Sequence, residues 1–476
     1  MKIIIILFIV SFSINAQVIG NLDPSYGNQG LVIEHSINNS TIHLASVLDS
    51  QGRLLVLKAR SSGSVYDLWV YRYLANGVED MSYSPLVSEI DAFLIDGNFT
   101  LAVDSSDGVF LGYSNYTCVA VNTECQQDIF IKHYNNTGLL VGSQTIAFDF
   151  GSTYLRQNDI FADLVFIPDD FGNTGKLSVA ATVDFSSVFD TDFGVAMLNV
   201  APDGSLSYRT TFAGAGKTTC AFDQDIGHSG IGIDKAKAIV LEYGNPIEII
   251  IGGSAFEGNG VNNDGWNLAF CKLNVLGDLV QSWSTQPLPD TLNDVEILQD
   301  MYYSNPTTDV ARLLVAAKFS TGTDNDFVVG FYHMPASQWI FDTTFGTNGW
   351  ATIGFNQLFI GDTNDIIQSI TVEPGQPDIS ISVVGNIQWQ DNGIDYSKIA
   401  MARFDQWGVP MSNWGVNGTR VYDFSNNNKT TVKDMVYDSN TNEFYLLGHY
   451  PNGMVDDAYI ANISDKSDII FKNSFE

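Results

Sequence analysis

Positive charge is scarce in this chain. Only 22 lysines and arginines stand against 54 aspartates and glutamates, a formal net charge of −32. A surface of that sign repels the phosphates of nucleic acid and of anionic membranes, so neither is an expected partner. Histidine is scarce too: His35, His43, His133, His228, His333 and His449 are dispersed, and no two have metal-ligand spacing. Helical periodicity is missing, and after the first residues no apolar run reaches the length of a membrane-spanning helix. Two fragments that look like enzyme motifs each lack an obligatory residue. A phosphate loop needs a glycine where Thr211 stands, and the segment behind Gly214-Ala215-Gly216-Lys217-Thr218-Thr219 is a poor helix. In Gly227-His228-Ser229-Gly230 the last glycine of a nucleophile elbow is replaced by Ile231.

Cysteine occurs four times, and the start of the chain bears on how those residues pair. Met1-Lys2, an apolar run from Ile3 to Ile14 and the small Ala16 read as an export signal over residues 1–16, cleaved before Gln17. An uncleaved anchor is the rival, but the run is short and polar sequence follows at once. No cysteine follows the run, which argues against a lipid anchor. Cysteines of exported proteins pair. Cys118 and Cys125 flank a short polar loop, and joining them leaves Cys220 with Cys271, although four cysteines allow three connectivities.

What the chain has in quantity is one unit, repeated. Residues 311–353 show it best. Two short apolar runs, 312–318 and 327–332, flank the turn-forming Ser320-Thr321-Gly322-Thr323-Asp324-Asn325-Asp326. Phe345-Gly346-Thr347-Asn348-Gly349 follows, with two glycines suited to positive φ, and feeds a strand at Trp350-Ala351-Thr352-Ile353. Tyr26-Gly27-Asn28-Gln29-Gly30 and Trp414-Gly415-Val416-Asn417-Gly418 are copies, each before a strand (31–35 and 419–424). The third strand of every unit is marked by an aspartate: Asp67, Asp128, Asp192, Asp264, Asp326, Asp395 and Asp457, at steps of 61, 64, 72, 62, 69 and 62 residues. Hairpin partners precede them at 53–58, 109–113, 177–182, 247–252, 312–318, 379–385 and 443–449. First strands come earlier, at 43–48, 99–103, 161–167, 236–241, 295–302, 366–372 and 432–437. Seven four-stranded units predict an all-β fold, a seven-bladed β-propeller of antiparallel blades over residues 17–466. An open solenoid is the rival. The first unit has an extra strand at 31–35 before it and the last lacks an outer strand, so the two are expected to pair and close the ring.

Leu-Asp-x-x-[Phe/Tyr]-Gly-x-x-Gly, a glycine-closed hairpin, and Asp-[aromatic or aliphatic]-x-[Val/Ile]-x-[Arg/Lys]-[Tyr/Phe] recur best at 21–32, 55–73, 341–353 and 399–421. In these the chain resembles the delta-60 repeat β-propellers of bacterial secreted proteins. The resemblance spans the mature chain and is loosest in the second to fourth units, whose loops at 215–232 and 258–265 are long. It implies a propeller of unassigned biochemical role and supplies no catalytic residues. The tail, 467–476, ends Phe471-Lys472-Asn473-Ser474-Phe475-Glu476 and resembles the short endings of some exported proteobacterial proteins. That implies a sorting or docking peptide, a disordered terminus being the plainer reading.

Asp264, Asp324, Asp326, Asp391 and Asp395 lie in the acidic loops that open third strands, all on one face of the predicted disc. Oxygen ligands in short loops can hold Ca²⁺, the one candidate cofactor; the competing role is to accept turn N–H groups and fix the hairpins. No loop has the glycine and glutamate of a twelve-residue calcium loop. Trp266, Trp339, Trp350, Trp389 and Trp407 include loop residues whose rings suit sugar or peptide, although packing is the commoner use. These readings predict a secreted, monomeric binding or scaffold module without an identifiable catalytic site, its partner an unknown protein or glycan. The alternative is an extracellular glycan-active hydrolase or lyase using carboxylates at the channel mouth; a further one is a calcium-dependent structural surface protein. A deep central pocket with convergent carboxylates would favour the enzyme, and a shallow symmetric face the binding module.

Overall fold

Many strands here are buried on both faces, which is why they read as near-continuous apolar runs rather than alternating ones. In Thr191–Val200, TDFGVAMLNV, nine of ten residues are buried. The chain was analysed as a computed structural model describing residues 22–464 except 36–38, 84–85, 92–93, 96, 119–124, 150–157, 170–174, 185–190, 223–231, 245, 258–264, 285–296, 305–310, 321–324, 335–337, 356–362, 374–378 and 426–428. The expected export signal and the tail fall outside those residues, as do Asp264 and Asp324.

The described residues form strands and turns without an α-helix. A first strand pairs antiparallel with a second, the second with a third, and the third with a short outer strand, as in Asn364–Glu373, Ser380–Asp391, Ile394–Asp405 and Thr419–Tyr422. Backbone bonding assembles these meanders into three four-stranded and two nine-stranded sheets. Each nine-stranded sheet joins two meanders through one parallel pair, Thr191 with Ile233 or Asn325 with Asn364. The first strands are Thr41–Leu48, Thr100–Val103, Asp159–Pro168, Ile233–Glu242, Ile297–Ser304, Asn364–Glu373 and Thr431–Asp438. They lie against one another in chain order, and the last packs on the first.

Leu31–Glu34 pairs with Val455–Ser464, Leu31 opposite Ala461 and Glu34 opposite Ala458, the partner expected for this extra strand. Tyr26, Leu54, Val56, Tyr445 and Ile460 make a buried cluster joining the two ends of the chain. Elsewhere too the apolar cores lie between successive meanders, as where Leu268 and Phe270 meet Leu313 and Val315.

The aromatic-glycine turns are built as the sequence suggests. Tyr26, Phe345 and Trp414 are buried, and each carbonyl accepts the N–H of the closing glycine, Gly30, Gly349 or Gly418. Gly349 has φ +94°, and a Cβ there would lie 2.1 Å from the Phe341 ring. The structure holds a fourth copy. Phe212 is buried and its carbonyl accepts Gly216 N–H at 2.7 Å. The fragment that imitates a phosphate loop is therefore this turn, hidden because Ala213 (φ +47°) replaces its first glycine.

Cys220 and Cys271 form a disulfide, Cα atoms 6.5 Å apart, tying the outer strand Lys217–Cys220 to the third strand Gly265–Asn274 of the next meander. Cys118 and Cys125 stand opposite each other in register across their hairpin.

Candidate functional site

Six of the seven first strands carry a β-bulge at the same place, and the extra residue is Leu44, Ala162, Lys237, Gln299, Gln368 or Lys433. A bulge re-aims the side chain it carries. All six line one central cavity of about 290 Å³, together with Asn98 and Thr100 at the start of the unbulged strand. The next residue after three alternate bulges is an aspartate: Asp163, Asp300 and Asp434. Each accepts the N–H of its own successor, and each reaches across to a backbone N–H of the following first strand. Asp163 takes Ile239 N–H at 3.0 Å, Asp300 takes Ile370 N–H at 2.9 Å, and Asp434 takes Ser46 N–H at 2.8 Å. Thr100 Oγ1 also donates to Asp163, and Ser46 Oγ to Asp434.

These carboxylates are half-buried and strongly perturbed. Burial pushes Asp163 up to about 6 and Asp300 to about 7 against the N–H bonds that oppose it, and it raises Asp434 as well. Burial lowers the Lys237 amine, with Asp300 and Asp163 working to hold it up. The convergence of carboxylates on a deep central cavity was the sign set for an enzyme. The bonds, however, commit these three carboxylates to clasping neighbouring strands.

A second site lies where the sixth meander meets the seventh, and it arises from a departure from the repeat. Ile366 and Thr431 both stand two residues before their bulges, so their cross-strand partners Asn386 and His449 are equivalent. Beyond Asn386 the sixth hairpin runs to Asp391, whereas beyond His449 the seventh stops at Asn452. The sixth is thus two residue pairs longer and stands proud of its neighbour. In the same register Lys398, not Asp395, occupies the place that Asp457 holds in the seventh unit. Asp395 is therefore not the repeat's marker: the longer hairpin carries it outward. Asn392 and Gly393, at φ +51° and +77°, make the tight turn of that hairpin.

The projecting hairpin walls a cleft of about 570 Å³ whose other side comes from Lys429, Thr431, His449, Pro451 and Asp456. Trp389 and Tyr396, opposite each other in register, stack with centroids 5.3 Å apart and planes 16° from parallel. Gln388 and Gln390 alternate with Trp389 along the strand, and Gln390 Nε2 donates to Asp395 Oδ1 at 2.9 Å. Burial, with Lys433 and His43 adding repulsion, drives His449 down to about 3, so its imidazole is neutral. Its Nδ1 is buried without a hydrogen-bond partner. The cleft thus offers amides, two carboxylates and a neutral imidazole, with Trp389 and Tyr396 on the opposite face of the hairpin, where Trp389 also packs on the core shared with the fifth meander.

Of the residues proposed for Ca²⁺, Asp391 and Asp395 flank the sixth turn, where Asp391 accepts from Asn392 and Asp395 from Gln390. Asp326 is half-buried on the fifth hairpin, in register with Phe319. Among the described residues no three His, Cys, Asp or Glu side chains gather as a metal site would require. Trp339 and Trp350 are core residues and Trp407 is exposed. Trp389 alone of the five singled-out tryptophans lines the cleft.

No protein-family model matches the chain, and no curated protein does. Solved structures similar to it include the polysaccharide lyase Uly1, at 11% identity and a TM-score of 0.43, covering 96% of this chain and 94% of that one. Another is an α-L-arabinanase from Penicillium chrysogenum complexed with arabinobiose, at 8% identity and a TM-score of 0.39, covering 77% and 93%. A third is the GH32 β-fructofuranosidase BmSUC1 of Bombyx mori, at 9% identity and a TM-score of 0.32, covering 93% of each chain. These three are glycan-active enzymes by their names. The expectation of a binding or scaffold module without an identifiable catalytic site is corrected on the cleft's own residues, since Asp395, Asp456 and His449 are groups able to do acid–base work.

Proposed function

We propose that this chain is an exported, monomeric glycan-active enzyme, a hydrolase or lyase, on a seven-bladed β-propeller akin to the delta-60 repeat proteins. The first strands packed in succession, last against first, support seven blades in a closed ring. The Cys220–Cys271 disulfide supports an oxidising destination.

The observation that carries the function is the cleft beside the sixth hairpin. Sugar rings present an apolar face and a rim of hydroxyls; Trp389 and Tyr396 at the cleft's edge suit the one, and Gln388 and Gln390 on the hairpin's other face suit the other. Asp395 and Asp456 are the carboxylates available for the paired acid and base work of hydrolysis. His449, held neutral by burial, is the imidazole that lines the cleft and the group available for proton abstraction in an elimination. The channel-mouth placement of the catalytic carboxylates gives way to this cleft, because the central aspartates are bonded to backbone N–H groups.

The test is turnover of a polysaccharide panel by the purified protein, followed by new reducing ends and by the ultraviolet absorbance of unsaturated products. Trp389→Ala should lower kcat/KM severalfold, up to about tenfold, the scale of one lost aromatic–ring contact. Asp456→Asn should abolish hydrolysis, and His449→Ala elimination. Absence of turnover on every glycan, or full activity in all three variants, would refute the reading.

A further inference from the structure

The bulges repeat, but the side chains they aim inward do not. A structural duty recurs with the same residue type and the same kind of partner, as the clasps of Asp163, Asp300 and Asp434 do in three alternate units. The bulge positions instead run Lys237, Gln299, Gln368 and Lys433 along four successive first strands, with Leu44 and Ala162 completing the circuit. At the bulge positions the central cavity is therefore one-sided: amines and amides run along four units, while Leu44 and Ala162 stand at the bulges of two others, with Asn98, Thr100 and Asp163 beside them. We infer that this cavity binds a small sugar acid, its carboxylate between Lys237 and Lys433 and its hydroxyls on Gln299 and Gln368. This site is separate from the cleft and does not rest on the glycan reading.

Donor bookkeeping supports an anionic ligand group. Each lysine amine brings three N–H donors. Lys237 donates one of these to Asn98 Oδ1 at 2.9 Å. Among the described residues Lys433 and Gln368 make no side-chain bond within the protein, though both line the cavity. The facing carboxylates, Asp163, Asp300 and Asp434, are engaged instead by backbone N–H groups and hydroxyls. They are the charged groups that oppose a ligand anion. Because burial lifts Asp163 to about 6 and Asp300 to about 7, both are largely protonated in mild acid and the cavity's charge turns positive. Size limits the ligand. The volume of about 290 Å³ corresponds to roughly ten waters at ~30 Å³ each, room inside for one six-carbon ring.

The experiment titrates the full chain with D-glucuronate, D-glucose and acetate, by calorimetry and by thermal shift, at about pH 5 and about pH 8. Glucuronate should bind and raise Tm, more tightly at the lower pH, with glucose and acetate at least tenfold weaker. Lys433→Gln should weaken glucuronate at least tenfold while leaving the unliganded melt in place, and Trp389→Ala should leave its affinity unchanged. If Lys433→Gln does not fold, Gln368→Ala carries the same test, with a smaller loss of severalfold. No glucuronate binding, equal binding of glucose, or unchanged affinity in both cavity variants overturns the inference. Loss of binding in Trp389→Ala overturns it too, by moving the ligand to the cleft. Polysaccharide turnover is read separately, so failure here and failure of the glycan reading are distinguishable.

Discussion

Replacing Glu34 with glutamine tests whether the N-terminal strand is clamped into place. Glu34 ends Leu31–Glu34, the strand that completes the last sheet, yet its carboxylate points into the first meander. There it meets Lys58 Nζ at 2.6 Å and the Tyr73 hydroxyl, with His43 Nε2 at 3.6 Å. Lys58 is nearly buried, its amine 3.5 Å from the centre of the Tyr71 ring and 3.8 Å from Glu79. Burial works against the Glu34 charge, but bonds and attraction from His43 and Lys58 hold its pKa well below the usual range. Removing one member of a buried ion pair costs about 3–5 kcal/mol, mostly for the charge left behind. Glu79 stays near Lys58 and Glu34 keeps 23% side-chain exposure, so Glu34→Gln should cost about 2–3 kcal/mol. At about 2.1 cal/mol/K of unfolding entropy per residue, a chain of this length loses about 1 °C per kcal/mol, hence about 2–3 °C in Tm. A urea titration should give the same loss at unchanged slope. The double variant with Lys58→Met isolates the pair, because it removes both charges. Its loss should fall short of the summed single losses by about 1–3 kcal/mol. Additivity to within about 0.5 kcal/mol would refute the clamp.

Gly349→Ala should destabilise by at least about 2 kcal/mol, since it combines positive φ with a forced contact on Phe341; a melt within 1 °C or so of the parent would contradict this. Reducing the Cys220–Cys271 bond, which closes a loop of sequence separation 51, should cost about 4 kcal/mol on the chain-entropy account; an unchanged urea midpoint under reductant would count against that constraint. pH acts in two directions. Asp163 and Asp300 sit at about 6 and 7 in the fold and near 3.9 unfolded, so the folded chain binds extra protons between. Their protonated forms favour the fold fully below about pH 4, and that advantage is lost as pH rises through about 6 and 7. Glu34 runs the other way: its stabilisation is present above about pH 4.3 and lost as pH falls toward its depressed folded value. Urea midpoints should therefore fall between about pH 5 and pH 8, with a smaller fall in Asp300→Asn. A midpoint that rises over that range would refute the assignment.

The strands and their hairpins were legible because both of their faces are buried and glycine turns punctuate them. Predicted first strands such as 366–372 fall inside observed ones such as Asn364–Glu373. The bulges were not legible. An inserted residue breaks alternation at one position, and Lys237 or Gln368 there looks like any solvent-facing strand residue. A second repeated device was readable but missed: a phenylalanine 10 to 12 residues before a buried aspartate. Phe148, Phe222 and Phe355 each donate their N–H to Asp159, Asp234 or Asp365, at 2.6, 3.0 and 3.1 Å. The cleft was hidden for another reason. Gln390 and Asp395 share the cleft with His449 and Asp456 across a boundary between units, at separations that no local motif spans.

A repeat protein separates structure from function by register, and that criterion orders the candidates here. Phe148, Phe222 and Phe355 do one job three times, and Asp163, Asp300 and Asp434 do another three times. Their recurrence with the same partners marks both sets as parts of the frame, however perturbed a carboxylate among them becomes. Perturbed titration alone would have placed the active site at the centre. The sixth hairpin is different in kind. It departs from the repeat by two residue pairs, loses the repeat's aspartate to Lys398, and carries Trp389, Tyr396 and Asp395 past the edge of its neighbour. Lengthening an exposed hairpin adds cross-strand pairs without disturbing the packing between meanders, so the frame does not require it. Asp395 brought into one cleft with Asp456 and a neutral imidazole is what that extension gains, and it is there that chemistry on a bound glycan should be sought.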